Sequence, residues 1–233
     1  MKIIKELKNP KSILIQNEFY PSGLTEEDIS NYYSKVKRKI LSVNDNREVM
    51  LFIAVDINKF IIRRHYSNND YIILTNDNYD EILHGRVTTI ISTMKRYENF
   101  GIIDIDYHDF DKNKEITLEI IKYLSSIKIS PFKSIRVRFT GKSSFHIIIY
   151  LNKNQDINIT RLYLSEILRD KFSDKYDIIY KRSSDKPNLD LSPNKFRGGF
   201  ISEFSLSVLG LRCLNIPINQ IKEFEKRFAK IDL

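Results

Sequence analysis

The stretch Gly101-Ile-Ile-Asp-Ile-Asp-Tyr107 alternates apolar and acidic residues with a period of two. That pattern predicts a β-strand, because successive side chains of a strand point to opposite faces. Asp104 and Asp106 then share one face, and Ile103 and Ile105 the other. Two residues of strand rise set the bases of the two carboxylates roughly 6–7 Å apart. Side chains converging from there can bridge two divalent ions about 3.5–4 Å from one another. Adjacent carboxylates repel unless a cation or proton compensates them, and a hard, oxygen-seeking ion such as Mg²⁺ or Mn²⁺ suits the pair. The bland alternative is a polar edge face turned to water. The apolar Gly-Ile-Ile lead-in favours a buried strand running out into a cleft. Asp109 and Asp111 fall past the strand end, where they cap the next helix or add to the negative field, and are not counted as ligands.

The rest of the chain supplies neighbours for such a strand. A helix is predicted over 25–42, with Thr25 as N-cap, acids in its first turn and bases near its end. Strands are predicted at 49–57 and 59–67, joined by a tight turn at Asn58, and at 133–140 and 145–151, separated by Gly-Lys-Ser-Ser. Helical spacing marks 113–127 (Ile116, Leu118, Ile121, Leu124) and 157–172, a short strand surrounds Asp190, and a closing helix is predicted over 218–231. Segment 68–100 carries no clear pattern. Mixed strands and helices imply an α/β or α+β domain, a central mixed or antiparallel sheet flanked by helices.

The 233 residues suit one large domain or two closely merged halves, and 1–233 is taken as a single domain. With 42% apolar and 29% charged residues the chain has a good-sized core and is not a disordered one. No apolar run approaches the roughly 20 residues of a membrane span. The basic start, MKIIKELKNPKSILIQ, lacks the continuous apolar stretch of a secretory signal. The single cysteine, Cys213, excludes an internal disulfide and any Cys-rich zinc site, so an intracellular location without zinc is expected. The excess of 38 basic over 30 acidic residues, a net charge of +8, favours polyanionic partners.

Arg-Val-Arg-Phe-Thr-Gly-Lys-Ser-Ser-Phe-His, 136–146, offers chemistry complementary to the acids. Arg136, Arg138 and Thr140 share one strand face, and Gly141 with the small Ser143 and Ser144 lets backbone amides approach a phosphate. Lys142 can supply a point charge to a triphosphate and His146 a hydrogen bond. The plain alternative is a hairpin turn with solvated bases and a core histidine. A further acid, Asp190, sits between Leu189 and Leu191. His65, His84 and His108 show no metal-ligand spacing, and most of the thirteen tyrosines and fourteen phenylalanines are core by default.

In this order the segments resemble the archaeo-eukaryotic primase superfamily, and most of all the small catalytic subunit of DNA primase. The acid motif of that family reads like DIDxxDYD, and DIDYHDFD stands at 104–111; its nucleotide motif reads like SGRRGxH, and TGKSSFH stands at 140–146. Its hydrophobic-Asp motif is matched by LDL at 189–191, and its SLHxKTGLxxxPI segment by SLSVLGLRCLNIPI from 205. YYSKV at 32–36, REVMLF at 47–52 and IIRRHYS at 61–67 are similar to its tyrosine pair, REFxF strand and IRxxSF segment. The polymerase domain of bacterial end-joining ligases is also similar, especially over YPSGLTEEDISNYY at 20–33. The departures are Thr140 for serine, Lys142-Ser143-Ser144 for Arg-Arg-Gly, Ser207 for a phosphate-binding histidine, and the missing zinc module.

The resemblance implies a template-directed nucleotidyltransferase making RNA or DNA primers by two-metal chemistry. Asp104 and Asp106 hold both ions on this expectation, and Asp190 completes the one nearest the attacking 3′-hydroxyl. Thr140, Lys142, Ser143, Ser144 and His146 bind the incoming nucleotide, with Arg47 and Arg197 as further phosphate contacts. The implied partners are a single-stranded DNA template, NTPs or dNTPs and a primase large subunit. Two alternatives stand beside it: a gap-filling polymerase that only extends primers, and an inactive nucleic-acid-binding subunit. A metal-dependent nuclease would also use the acids but has no need of the 140–146 segment.

Overall fold

The computed structural model of the protein describes residues 23–44, 46–56, 59–66, 68–83, 86–127, 131–179 and 186–231. The chain forms two compact units. The first comprises 1–93, 199–213 and 226–233, and the second 94–198 and 214–225.

The first unit opens with α1 (Glu26–Asn44). Its start is a reciprocal cap: Asp28 N donates to Thr25 Oγ1 (3.1 Å), and Thr25 N to Asp28 Oδ2 (2.8 Å). The helix runs two residues beyond its predicted end, and its last turn contains no base. Asn44 closes that end instead, donating through Nδ2 to Ile40 O at 3.0 Å and to Ser202 Oγ at 2.5 Å. The sheet of this unit has the order β10-β4-β1-β2, with β1 (Arg47–Asp56), β2 (Lys59–Arg63), β4 (Val87–Thr93) and β10 (Gly199–Ile201), all antiparallel. The short β3 (Ile73–Leu74) also pairs with β1, and α2 (Tyr79–Ile82) follows it. Segment 68–100, without pattern in the sequence, thus holds β3, α2, β4 and the start of the next strand. The predicted turn at Asn58 lies outside the described residues. Ile29, Tyr33 and Ile40 of α1 are buried with Val49, Leu51, Ile53, Leu74, Val87 and Ile90 of the sheet. Tyr33 donates its hydroxyl to Thr88 O (2.5 Å) and accepts from Leu206 N (3.1 Å), which places this tyrosine in the core.

The second unit is built on a six-stranded sheet, order β11-β6-β7-β5-β9-β8. Its strands are β5 (Tyr97–Asp106), β6 (Phe132–Phe139), β7 (Phe145–Asp156), β8 (Asp177–Ile179), β9 (Asn188–Asp190) and β11 (Leu214–Ile216). All pairs are antiparallel except β8 with β9. Helices α3 (Phe110–Ser126) and α4 (Ile157–Phe172) pack on β5 and β7. The helix-bearing face of β5 is the one carrying Gly101, Ile103 and Ile105. A Cβ on Gly101 would lie 2.7 Å from the Thr160 methyl and 3.0 Å from Leu164 Cδ1, so any larger residue here would push these α4 side chains aside. Further along the same face, Phe145 pairs with Ile105 and with Phe139. Those two phenylalanines join Phe110 and Phe224 in a cluster with ring centroids 5.1–6.4 Å apart.

The predicted helix over 218–231 is not formed; two 3₁₀ turns, Ile218–Gln220 and Lys226–Ala229, take its place. The chain passes from the second unit to the first at 225/226. Its buried apolar residues are therefore divided, Ile221 and Phe224 in the second unit and Ala229 in the first. Among the described residues no helix is long and apolar enough to cross a membrane.

Candidate active site

Directly paired residues of an antiparallel sheet point to the same face. Asp104 is paired twice, with His146 of β7 on one side and with Asp190 of β9 on the other. His146 is paired in turn with Arg138 of β6, and Arg138 with Asn215 of β11. One row therefore crosses five strands: Asn215, Arg138, His146, Asp104, Asp190. Two residues along β5, Asp106 pairs with Asn188. The period-two reading of 101–107 is borne out: Ile103 and Ile105 are fully buried, while Asp104 and Asp106 lie half-buried on the other face.

The row is electrically mixed. His146 Nε2 stands 3.6 Å from Asp104 Oδ1, a little beyond hydrogen-bond length. Burial, and then the neighbouring Arg138 charge, push the His146 imidazole down to about 3, so it is neutral at ordinary pH. Its buried Nδ1 has no hydrogen-bond partner among the described residues. Buried Arg138 donates from Nε to Asn215 Oδ1 at 3.2 Å, whereas Arg136 is exposed over the Tyr150 ring at 5.1 Å.

The Phe139–Phe145 connection is a tight hairpin. Thr140 donates to Ser144 O from both its backbone N and its hydroxyl, each at 3.1 Å. Gly141 has φ of 90°, a conformation that favours glycine. Lys142 is exposed and Ser143 and Ser144 are half-exposed at the tip. Ser144 Oγ donates to Asp106 Oδ1 at 3.3 Å, joining the hairpin to the acid pair. Asn113 of α3 holds the loop from below, donating through Nδ2 to Ser143 O (2.9 Å) and Tyr107 O (2.8 Å). Asp109 caps α3 by accepting from Lys112 N at 2.8 Å, and Asp111 pairs with Lys114 at 2.7 Å, so neither turns to the acid pair.

Asp190 is engaged within its own loop. Its Oδ1 accepts from Ser192 N (2.7 Å) and its Oδ2 from Ser192 Oγ (2.8 Å). Among the described residues, no group of three or more His, Cys, Asp or Glu side chains is arranged to hold a metal ion as it stands. The donor chemistry nonetheless fits a hard cation, since Asp104 and Asp106 are half-exposed carboxylates on one face with Asp190 paired beside them. Each Asp190 oxygen keeps a second lone pair for a cation while Ser192 orients the carboxylate.

Of the remaining predicted residues, Arg197 lies in the second unit on the loop after β9, with its guanidinium 4.8 Å from the Phe196 ring centroid. Arg47 belongs to the first unit, where its Nη1 donates to Thr93 O at 2.8 Å. Ser207, at the position of the resemblance's histidine, is buried and accepts from Leu209 N at 3.1 Å. His65 and His108 lie tilted against Tyr71 and Tyr107, with centroids 4.4 and 4.0 Å apart, and His84 lies outside the described residues. Three supporting residues escaped the sequence reading: Ser192, Asn194 and Asn113. The Asp-Leu-Ser spacing at 190–192 is a local turn signature that could have found Ser192. Asn113 and Asn194 act on backbone distant in sequence, and no local pattern marks them.

No protein-family profile matches the chain, and no curated protein matches it. Among solved structures, it is similar to the polymerase domain of Mycobacterium tuberculosis Ligase D in complex with DNA. The TM-score is 0.73 at 12% identity, over 90% of this chain and 87% of that one. At that identity the likeness concerns the fold alone, a mixed α+β fold with two sheets and four helices among the described residues.

Proposed function

We propose that this chain is a template-directed nucleotidyltransferase that synthesises primers on single-stranded DNA with two Mg²⁺ or Mn²⁺ ions held by Asp104, Asp106 and Asp190. The observation that carries the reading is the row Arg138–His146–Asp104–Asp190, with Asp106 tied to the hairpin through Ser144. The acids share one sheet face, and the hairpin that carries Lys142 reaches Asp106 through Ser144, which supports cation and phosphate chemistry side by side. When bound, the ions lower the pKa of an attacking hydroxyl and neutralise charge on the triphosphate and departing pyrophosphate. The chain's own residues bind and orient. Lys142 supplies a point charge at the hairpin tip, and the backbone around Gly141, Ser143 and Ser144 presents amides to the triphosphate. Thr140 keeps that hairpin closed, and neutral His146 offers a hydrogen bond without adding charge beside Asp104. Arg197 extends the positive surface for phosphates. NTPs or dNTPs are the substrates, and a primase large subunit is a candidate partner.

A second reading, extension of an annealed primer only, is favoured by the similarity to a polymerase domain that is part of a ligase. One assay separates the two. Purified protein is given NTPs or dNTPs, Mn²⁺ or Mg²⁺, and single-stranded DNA with or without an annealed primer. Short labelled products on unprimed template are expected, falling roughly 10³-fold in Asp104→Ala with no loss of folding. Extension on primed template alone selects the second reading. Silence on both templates leaves a nucleic-acid-binding subunit, and full activity of Asp104→Ala refutes the assigned site.

A further inference from the structure

The loop that follows β9, Leu191-Ser-Pro-Asn-Lys-Phe-Arg-Gly198, presents a phenylalanine to solvent. Phe196 is 51% exposed even with the Arg197 guanidinium beside its ring at 4.8 Å. Lys195 on its other side is exposed as well, and no acid occurs between Asp190 and Glu203. A single exposed apolar ring is unremarkable by itself. Here, however, the backbone holding it is heavily constrained.

Asn194, fully buried, binds Ile102 of β5 with both ends of its amide: Oδ1 accepts from Ile102 N at 2.7 Å, and Nδ2 donates to Ile102 O at 2.5 Å. Arg197 N donates to Met94 O (2.9 Å), Met94 N to Gly198 O (2.8 Å), and Gly198 N to Lys195 O (2.7 Å). A Cβ on Gly198 would stand 2.1 Å from Pro193 O, so that corner admits only glycine. Arg197 itself adopts φ of 61°, a left-handed conformation that is costly for any residue with a Cβ. The fold thus fixes and strains this segment while leaving its ring in water.

We propose that Phe196 is a stacking platform for an unpaired base of single-stranded DNA, with Lys195 and Arg197 flanking it for the adjoining phosphates. The inference rests on the proposed function insofar as that function names a single-stranded template. A π-face accepts any base, and flanking cations follow the backbone without reading sequence. Duplex DNA keeps its bases stacked within, so the ring selects for the single strand. A preorganised ring also loses little conformational freedom on binding.

The chain contains no tryptophan. Phe196→Trp therefore introduces one indole whose emission reports stacking directly. With a labelled oligodeoxythymidine at fixed salt, anisotropy is expected to show Phe196→Ala binding about tenfold more weakly than wild type, the scale of one lost base stack. Its salt dependence should be unchanged, because no phosphate contact is removed, whereas Lys195→Ala should lower the salt slope by about 0.7. Phe196→Trp should bind like wild type and lose emission at saturating DNA. Equal binding by wild type and Phe196→Ala, or unquenched emission from Phe196→Trp at saturation, overturns the platform. If incorporation persists in that case, the proposed function stands alone; quenching by DNA without any incorporation upholds the platform and refutes the polymerase reading.

Discussion

β5 and β9 bring acids to the same sheet face, yet they hold them by different means. β5 spans ten residues and is paired along one edge by β7 and along part of the other by β9. Its side-chain alternation fixes where Asp104 and Asp106 point, and the helices beneath it fix which face that is. β9 has three residues. Beyond Asp190 its ladder is continued by a side chain, the Asn194 amide bound to Ile102, and Asp190 is oriented by Ser192. A long strand can hold a functional group through its register; a short one needs specific side-chain bonds for each group it carries. The β5 acids are therefore robust to changes in their loops, and the β9 acid depends on the two residues just beyond it.

Three substitutions press on that contrast. Asn194→Ala removes both bonds to Ile102 and leaves a buried amide without its acceptor, so a loss of about 2–4 kcal/mol in urea unfolding is expected. A loss below about 1 kcal/mol would mean that β9 is held by its pairing with β5 alone. Ser192→Ala removes one of the two bonds on Asp190 and keeps the backbone one, costing about 1 kcal/mol of stability. Because a carboxylate oxygen can accept a hydrogen bond and still hold a cation, the hydroxyl orients Asp190, and without it the Mn²⁺ concentration for half-maximal incorporation should rise a few-fold. A fall instead would make Ser192 a residue that withholds Asp190 from the cation rather than orients it. The smallest effect is expected at Glu119 of α3, which accepts from Lys175 Nζ at 2.5 Å and from the Tyr176 hydroxyl just before β8. Burial raises the Glu119 carboxyl, but these two donors outweigh it and hold the group below the usual carboxylate range. Its contribution is therefore complete above that range and disappears as pH falls through the lowered value. Glu119→Gln should cost about 0.5 kcal/mol near neutrality, the scale of an exposed ion pair, and nothing in strong acid. A cost that is constant with pH would assign the effect to packing.

The same contrast explains what could be read from the chain. β6 and both long helices of the second unit lie within a few residues of their predicted limits, and β5 and β7 each match at one end, because each carries enough periodic residues to reveal its face. The polar continuation of β7 through Asn152–Asp156 was missed, since nothing apolar marks Lys153, Asn154 or Gln155. β10 and β11 are too short to show a period at all. The acids could be located from alternation, and the hairpin from Gly141 and its small neighbours. The pairing of Asp104 with both His146 and Asp190 could not, because cross-strand register depends on turns and bulges such as the one between Glu98 and Phe100. The 218–231 segment misled for a different reason: its spacing is helical, but its residues divide between two cores.

Gly101 gives the strand a single permitted setting. Its missing side chain lets the Thr160 methyl approach, and the next positions on either side along β5, Phe100 and Ile102, are both large. An inserted or deleted residue between Gly101 and Asp104 would send both carboxylates under the helices, or else drive a bulky side chain into α4. The number of residues between Gly101 and Asp104 is therefore fixed even where their identity is not.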